Sequence, residues 1–401
     1  MDTLAQVPST PEPSNWQQHW LTRGEDWRKE PEIEKERKKF LDHRRAIQID
    51  VVQGIYPFSQ LPQDQRLTRA DLEYLLSSHE EGRGPVWYQK ECGKVPLERR
   101  NGLDLRGANL EGLDLSDLPL CRVLFGPTWD AKDQCTEQQC RQAAANLRWV
   151  NLKGANLEMM RARFVDFSHA KLAHAYMAEA QLQQTILIGT DLHHAWMQNV
   201  DLDGAILYGE EAVAPRLADI SWGATLLSVP NWDGVRRLGD EVYIKQLLTR
   251  ADVPEDKKRD DTLEMLRAHL QVATILEGQG QKSVAASLRF RYNVQERKML
   301  WRKRAWKEWL WSLLLAAIAG YGYRLWRVLF TYSMNILIFA LIFWLVDPPL
   351  TFLGAILLAS TGRGLSEAPL SIWLVGNAEA VINSIIAGLF FALLLPRFQG
   401  K

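Results

Sequence analysis

The sequence has no net charge and little cysteine. Its 401 residues contain 48 Lys and Arg against 48 Asp and Glu, so no global basic or acidic field is available to bind nucleic acid or to mimic it. Cys92, Cys121, Cys135 and Cys140 are too few and too scattered for a disulfide scaffold, and the spacing of the last two matches no zinc motif. The first sixteen residues have no apolar core, so we expect no secretory signal peptide.

Patterns typical of enzymes are also missing. The sequence contains no glycine-rich phosphate loop, no nucleophile elbow and no paired acid–base constellation. We therefore expect a protein that is not an enzyme and that has neither a cofactor nor a metal.

A repeat of five residues runs through the middle of the chain. Five units begin at Leu103, and after an insertion over 128–144 thirteen more follow from Ala145 to Gly209 without a slip in register. Most units have a large apolar residue at the centre and a small or β-branched residue two positions earlier, as in Leu157 and Ala155. A period of five fits neither one helix nor one strand. We expect a coil that turns a corner in every unit, with rungs about 4.8 Å apart.

This pattern resembles the pentapeptide-repeat family over about Leu103–Leu226. The resemblance implies a right-handed quadrilateral β-helix that serves as an assembly or sensing domain and binds a ligand or a protein. Some members of that family are DNA mimics, which need a strongly acidic rod. Leu103–Gly209 has thirteen acidic and nine basic residues, and a net charge of minus four is too weak for that role, so we expect no nucleic-acid partner.

Two histidines fall on the same side of this predicted coil. His174 and His194 are twenty residues apart, which is four units of the repeat, so they should occupy one face on neighbouring coils. Two imidazoles without a nearby carboxylate or thiol favour a stacked surface pair over a metal site.

The repeat divides the chain into five predicted parts. They are a charged N-terminal extension (1–60), a helical cap (61–102), the repeat domain (103–229), a cytosolic helical linker (230–307) and an apolar C-terminal module (308–401). The cap opens on a Thr/Asp capping signal at Thr68.

Long uncharged runs characterise the C-terminal module. Val328–Val346 has nineteen residues without a charge, close to the roughly 20 residues that cross a bilayer core. A second crossing is available in Ser371–Pro396, and Trp309–Tyr323 is typical of an interfacial helix. Basic residues flank both ends of the module, which predicts a multi-pass protein of the bacterial inner membrane with both termini cytoplasmic. The predicted fold class is a multidomain membrane protein: a β-helix, a helical linker and a two-transmembrane pore module with a re-entrant pore helix.

The segment between the two predicted crossings, TFLGAILLASTGRGL, resembles the pore helix and selectivity filter of the two-crossing potassium-channel family. The resemblance implies a filter formed by Ser360, Thr361, Gly362, Arg363 and Gly364. The run NAEAVINSIIAGLFFALLLPRF resembles the inner helix. It implies that Glu379, Asn383, Ser384 and Gly388 line or gate the pore.

Arg363 stands where that family has the filter tyrosine. Four arginines facing one pore would repel cations and favour anions. Alternatively, Arg363 lies behind the filter and pairs with Glu379 or Glu367. The permeant ion therefore stays open between cation and anion.

The inner-helix residues also have alternative interpretations. Glu379 is either functional or an ion-pair brace for Arg363. Gly388 is either a gating hinge or a small residue that permits close helix packing, and packing is favoured. Asn383 and Ser384 either face the pore or form hydrogen bonds between helices.

The function predicted from the sequence is the pore-forming subunit of a homotetrameric ion channel, with the lipid bilayer as a further partner. The alternative is a non-conducting, membrane-anchored scaffold whose repeat domain binds a protein partner.

Overall fold

The structure is a computed structural model. It describes residues 15–86, 100–128, 136–209, 214–232, 234–235, 237–319, 325–346, 376–386 and 388. The chain forms two compact units, Met1–Gln281 and Lys282–Lys401, and the boundary between them falls inside the predicted linker.

The first unit combines a β-helix with short flanking helices, and the second is helical in its described part. In chain order the helices are α1 (Trp16–Thr22), α2 (Lys35–Arg45), α3 (Arg69–Ser77), α4 (His79–Gly82), α5 (Glu137–Ala143), α6 (Gly239–Thr249), α7 (Glu255–Gly278), α8 (Lys282–Arg302), α9 (Trp306–Ala319), α10 (Leu325–Val346) and α11 (376–386). Thr68 caps α3 and forms a capping box with Asp71.

The β-helix is visible in its parallel backbone bridges. One column of bridges joins Asn146, Asp166, Ile186 and Ile206 in steps of twenty residues. Since one unit has five residues, each coil contains four units and has four sides. The five-residue solenoid predicted from the sequence is confirmed.

Each unit closes its own corner and bonds to the next coil. The N–H of Leu152 donates to the carbonyl oxygen of Lys171 in the next coil at 2.8 Å, and the N–H of Ala155 donates to that of Leu152 at 3.1 Å. Leu152 and Ala155 are both fully buried. The large and small apolar positions of the repeat therefore fill the interior, while the backbone polar groups are satisfied between coils.

The step between bridges changes at two places. It is 37 residues from Asn109 to Asn146, where the predicted insertion leaves the coil. It is 25 residues from Asp191 to Arg216, five more than one coil. The chain therefore has five extra residues before the last coil (214–232). The last coil nevertheless continues the same columns of parallel bridges as the coils before it.

The N-terminal segment packs against the first coil. Arg69 in α3 donates to the carbonyl oxygens of Asp114 at 3.1 Å and Ser116 at 3.0 Å. The buried carboxylate of Glu73 accepts the backbone N–H of Lys29 at 2.9 Å. The mixed-charge run near Lys29 is thus fixed to the β-helix through α3.

In the second unit, α10 and α11 are joined by a hydrogen bond between side chains. Asn335 Nδ2 donates to Asn383 Oδ1 at 2.8 Å. Phe343 in α10 and Ile386 in α11 are buried.

The prediction of a multidomain membrane protein is wrong. Crossings were predicted over Val328–Val346 and Ser371–Pro396, but within the part of the chain that the structure describes no helix has both the length and the apolar content to cross a membrane. An uncharged run is also the signal of a helix that packs against another helix, as the contact between α10 and α11 illustrates.

Candidate functional site

Helix α7 closes the last coil of the β-helix. Gln271 Nε2 donates to the carbonyl oxygen of Ile220 at 3.0 Å, and Gln279 Nε2 donates to that of Thr225 at 3.1 Å. A terminal coil otherwise presents unpaired backbone groups to solvent. These bonds hold α7 along the exposed edge. We call the boundary between the last coil and α7 the seam.

A groove of about 620 Å³ lies in the seam. It is lined by Ser221, Trp222 and Gly223 of the last coil and by Leu270, Gln271, Thr274 and Ile275 of α7. The groove is open to solvent along its outer side. Trp222 is 4% exposed, and its indole N–H has no acceptor among the described residues.

A pair of stacked aromatic rings leads from the face of the β-helix to this groove. Trp196 forms a parallel bridge with Ser221 in the groove wall, so it lies on the neighbouring coil. The rings of Tyr176 and Trp196 stack with centroids 5.8 Å apart, and Trp196 is 42% exposed. The groove is therefore continuous with an exposed aromatic surface.

A histidine cluster occupies the corner beside the groove. The rings of His174 and His194 stack 4.9 Å apart at an angle of 16°, as the sequence analysis predicts for a stacked pair. His193 contacts both rings, with centroids 5.3 Å from His174 and 5.2 Å from His194. Burial and the neighbouring imidazoles lower the pKa of His174.

Two carboxylates complete this corner. Asp219 holds the corner position of the last coil, and Glu264 reaches the same place from α7. Ligand atoms of His194, Asp219 and Glu264 all lie within 4.8 Å of one another. The expectation of two histidines without a nearby carboxylate does not hold.

Behind this corner, a charged network joins the β-helix to α6. Arg216 Nη1 lies 3.0 Å from Asp191 Oδ2, and Asp191 Oδ1 lies 2.7 Å from His193 Nδ1. Burial acts to raise the pKa of Asp191, but the hydrogen bond from His193 and the charge of Arg216 lower it overall. Asp240 at the start of α6 accepts the N–H of Leu217 at 2.8 Å, and burial raises its pKa. The network fixes the orientation of the corner.

The predicted pore residues are not brought together at this site. Ser360, Thr361, Gly362, Arg363 and Gly364 lie outside the described residues, so the pairing of Glu379 with Arg363 stays untested. The channel function, the homotetramer, and the lipid and permeant-ion partners depended on membrane crossings, and the described residues give them no support.

The predicted inner-helix residues lie in and just beyond α11. Glu379 is 3% exposed, and burial raises its pKa to about 7. Asn383 Nδ2 donates to Glu379 Oε1 at 3.5 Å and Asn383 Oδ1 accepts from Asn335, so Asn383 bonds between helices. Ser384 is exposed and donates to the carbonyl oxygen of Ala380 at 2.7 Å. A Cβ on Gly388 would meet no described atom within 4 Å.

Three residues of this site, Trp196, Asp219 and Glu264, are not among those predicted from the sequence. The units counted in the sequence end at Gly209, although the family resemblance extends to about Leu226. Asp219 follows His194 by 25 residues, one unit more than a full coil, and this extra unit hides its place in the column of His174 and His194. No sequence signal places Glu264 there, because the contact depends on how α7 packs.

Comparisons with known proteins concern the repeat. The family model described as pentapeptide repeats matches residues 145–179 and 166–204, with eight copies. No curated protein matches the chain. Together with the four-sided coil, the family match shows that the chain carries a pentapeptide-repeat domain.

Solved structures are similar to this part of the chain. A pentapeptide-repeat protein from the thylakoid lumen of Arabidopsis thaliana is 19% identical, with 32% of this chain and 74% of that chain covered and a TM-score of 0.22. HetL, a pentapeptide-repeat protein involved in heterocyst differentiation regulation from Nostoc sp. strain PCC 7120, is 23% identical, with 32% and 50% covered and a TM-score of 0.18. Rfr23 from Cyanothece 51142 is 20% identical, with 30% and 82% covered and a TM-score of 0.19. Nothing about function follows from these likenesses.

Proposed function

We propose that the repeat domain is a scaffold that binds a protein partner at the seam, and that its role is binding rather than catalysis. The observation that carries the proposal is the exposed Trp196 beside the groove. Trp and Tyr are enriched among the few residues that dominate binding energy in protein interfaces.

The surface offers an anchor and a pocket side by side. The ring of Trp196 rests on Tyr176 and is therefore held in place, so little side-chain entropy is lost when a partner stacks on it. The groove next to it takes an apolar side chain between Trp222 and Ile275. The occupant expected is a partner segment that inserts one apolar side chain and stacks a second on Trp196.

The charge of the seam favours a protein over a nucleic acid. Asp219 and Glu264 lie at the corner beside the groove, where carboxylates repel a phosphate backbone.

Photo-crosslinking tests this proposal. The full chain carries benzoylphenylalanine in place of Gln198, two residues beyond Trp196, and is irradiated in extract of its native cells. We expect one dominant crosslinked protein, whose affinity for the purified full chain is then measured by calorimetry.

Three variants decide whether the seam is the binding surface. Trp196→Ala removes the anchor and Thr274→Trp fills the groove from an exposed position on α7; each should weaken binding at least tenfold. Trp149→Ala is the matched control, since Trp149 is 55% exposed and stacks on His169 at another corner. Equal affinities for all three variants and the wild type would refute the proposal.

A further inference from the structure

We infer that His194, Asp219 and Glu264 form a binding site for a divalent transition-metal cation. This site is separate from partner binding in the groove, and it combines an imidazole with two carboxylates.

The three side chains come from three different parts of the chain. His194 and Asp219 hold equivalent corner positions of adjacent coils, with φ of +56° and +51°, and Glu264 projects from α7. Their ligand atoms lie within 4.8 Å of one another. Around a tetrahedral zinc ion, ligand atoms are about 3.3 Å apart, given metal–ligand distances of about 2.0–2.1 Å. Binding therefore needs each pair of ligand atoms to approach by about 1.5 Å at most.

The two carboxylates have no competing partner in the part of the chain that the structure describes. Neither Asp219 nor Glu264 forms a side-chain hydrogen bond or an ion pair there. Both are half-buried, and two like charges so close repel each other. A divalent cation between them removes this repulsion and balances the charge.

A second observation is the stack of imidazoles that continues from the site. His174 lies 4.9 Å from His194, ring to ring, and precedes it in the same column. It places a further imidazole beside the three-residue set. One coil before His174, the equivalent position is Gly154, which has no side chain. The imidazoles of this column are therefore found only in the two coils nearest to Asp219 and Glu264.

The donor set selects the class of cation. Imidazole nitrogen suits zinc, iron, nickel and copper, whereas calcium and magnesium prefer oxygen ligands alone. One imidazole with two carboxylates is thus suited to a borderline cation, and zinc is the probe of choice.

Calorimetric titration of the full chain with zinc chloride tests the inference, with magnesium chloride as the cation control. We expect one zinc per chain and no magnesium binding at the same concentration. Asp219→Asn and Glu264→Gln keep the shape of each side chain, and each should weaken zinc binding at least tenfold, as should His194→Ala. Zinc should also raise the melting temperature of the wild type.

Two control variants distinguish this site from non-specific binding of zinc to surface side chains. His169→Ala removes a histidine at another corner, and Glu277→Gln removes an exposed carboxylate from the same helix. Both should bind zinc like the wild type. The inference fails if the wild type does not bind zinc, or if Asp219→Asn and Glu264→Gln, folded by circular dichroism, bind it as tightly as the controls.

Discussion

The guanidinium of Arg216 lies over the ring of Tyr243, 3.8 Å from its centroid. Arg216 belongs to the last coil and Tyr243 to α6, so this contact fastens the helix to the β-helix. The same arginine is 3.0 Å from Asp191 and 3.8 Å from the buried Asp240. One side chain thus contacts Asp191, Asp240 and Tyr243, and so holds together the elements that shape the seam.

Replacing Arg216 by Leu should lower the free energy of unfolding by about 2–4 kcal/mol, because removing one partner of a mostly buried pair leaves an uncompensated charge. Urea denaturation measures this effect. The control is Arg148→Leu: the side chain of Arg148 is 48% exposed and 3.7 Å from Asp166, so its loss should cost under about 0.5 kcal/mol. Equal losses for the two variants would contradict the role given to Arg216.

Asp240 should make stability depend on pH. Burial raises its pKa in the folded state, whereas the unfolded chain has a pKa of about 3.9 for this group. The folded protein holds the proton more tightly, so the contribution of Asp240 to stability falls as pH rises from about 4 through the folded pKa. Asp240→Asn keeps the oxygen that accepts the N–H of Leu217 and removes the titration.

The stability difference between Asp240→Asn and the wild type should therefore shift in favour of the variant as pH rises over that window, and then become constant. Urea denaturation at a series of pH values measures it. A difference that stays the same from pH 3.5 to 7 would show that Asp240 does not have a raised pKa.

Gly126 is a position where the coil has no room for a side chain. A Cβ there would overlap the backbone nitrogen and carbonyl oxygen of Arg163 in the adjacent coil. Gly126→Ala should cost about 3 kcal/mol of unfolding free energy, at the upper end of overpacking effects. Gly278→Ala, in open space at the end of α7, is the control and should be neutral or stabilising by up to about 1 kcal/mol. A loss below about 0.5 kcal/mol for Gly126→Ala would mean that the coils are not in the register described.

Glu379 should make the second unit sensitive to pH. Its pKa is raised to about 7 by burial, so α11 should lose stability as pH rises from about 4.5 to 7 and then level off. Glu379→Gln removes that charge while keeping an acceptor for Asn383. Hydrogen exchange of the 376–386 amides should be slower in Glu379→Gln than in the wild type at pH 8, and the two should be similar at pH 4.5. Ser384→Ala, on the exposed side of α11, should exchange like the wild type at both pH values.

The repeat could be predicted from the sequence because the same interactions recur in every five-residue unit. Leu152 and Ala155 fill the interior in the same way as the equivalent residues of every other coil, so the pattern recurs at each unit. The four-sided coil follows once the five-residue period is recognised.

The seam could not be predicted in the same way. Asp219 is displaced by one unit in sequence, and Glu264 reaches it only because α7 packs on the last coil. Those contacts depend on tertiary packing, which produces no periodic pattern in the sequence. Uncharged runs such as Val328–Val346 have the same composition whether a helix crosses a bilayer or packs on another helix, and this is why the membrane prediction failed.

Hydrogen–deuterium exchange of the full chain, with and without the crosslinked partner, is the most direct test of partner binding at the seam. Exchange should slow in 194–200, 219–225 and 268–276, which contain Trp196 and both walls of the groove, and should not change around Trp149. Protection confined to another face of the β-helix would contradict the account.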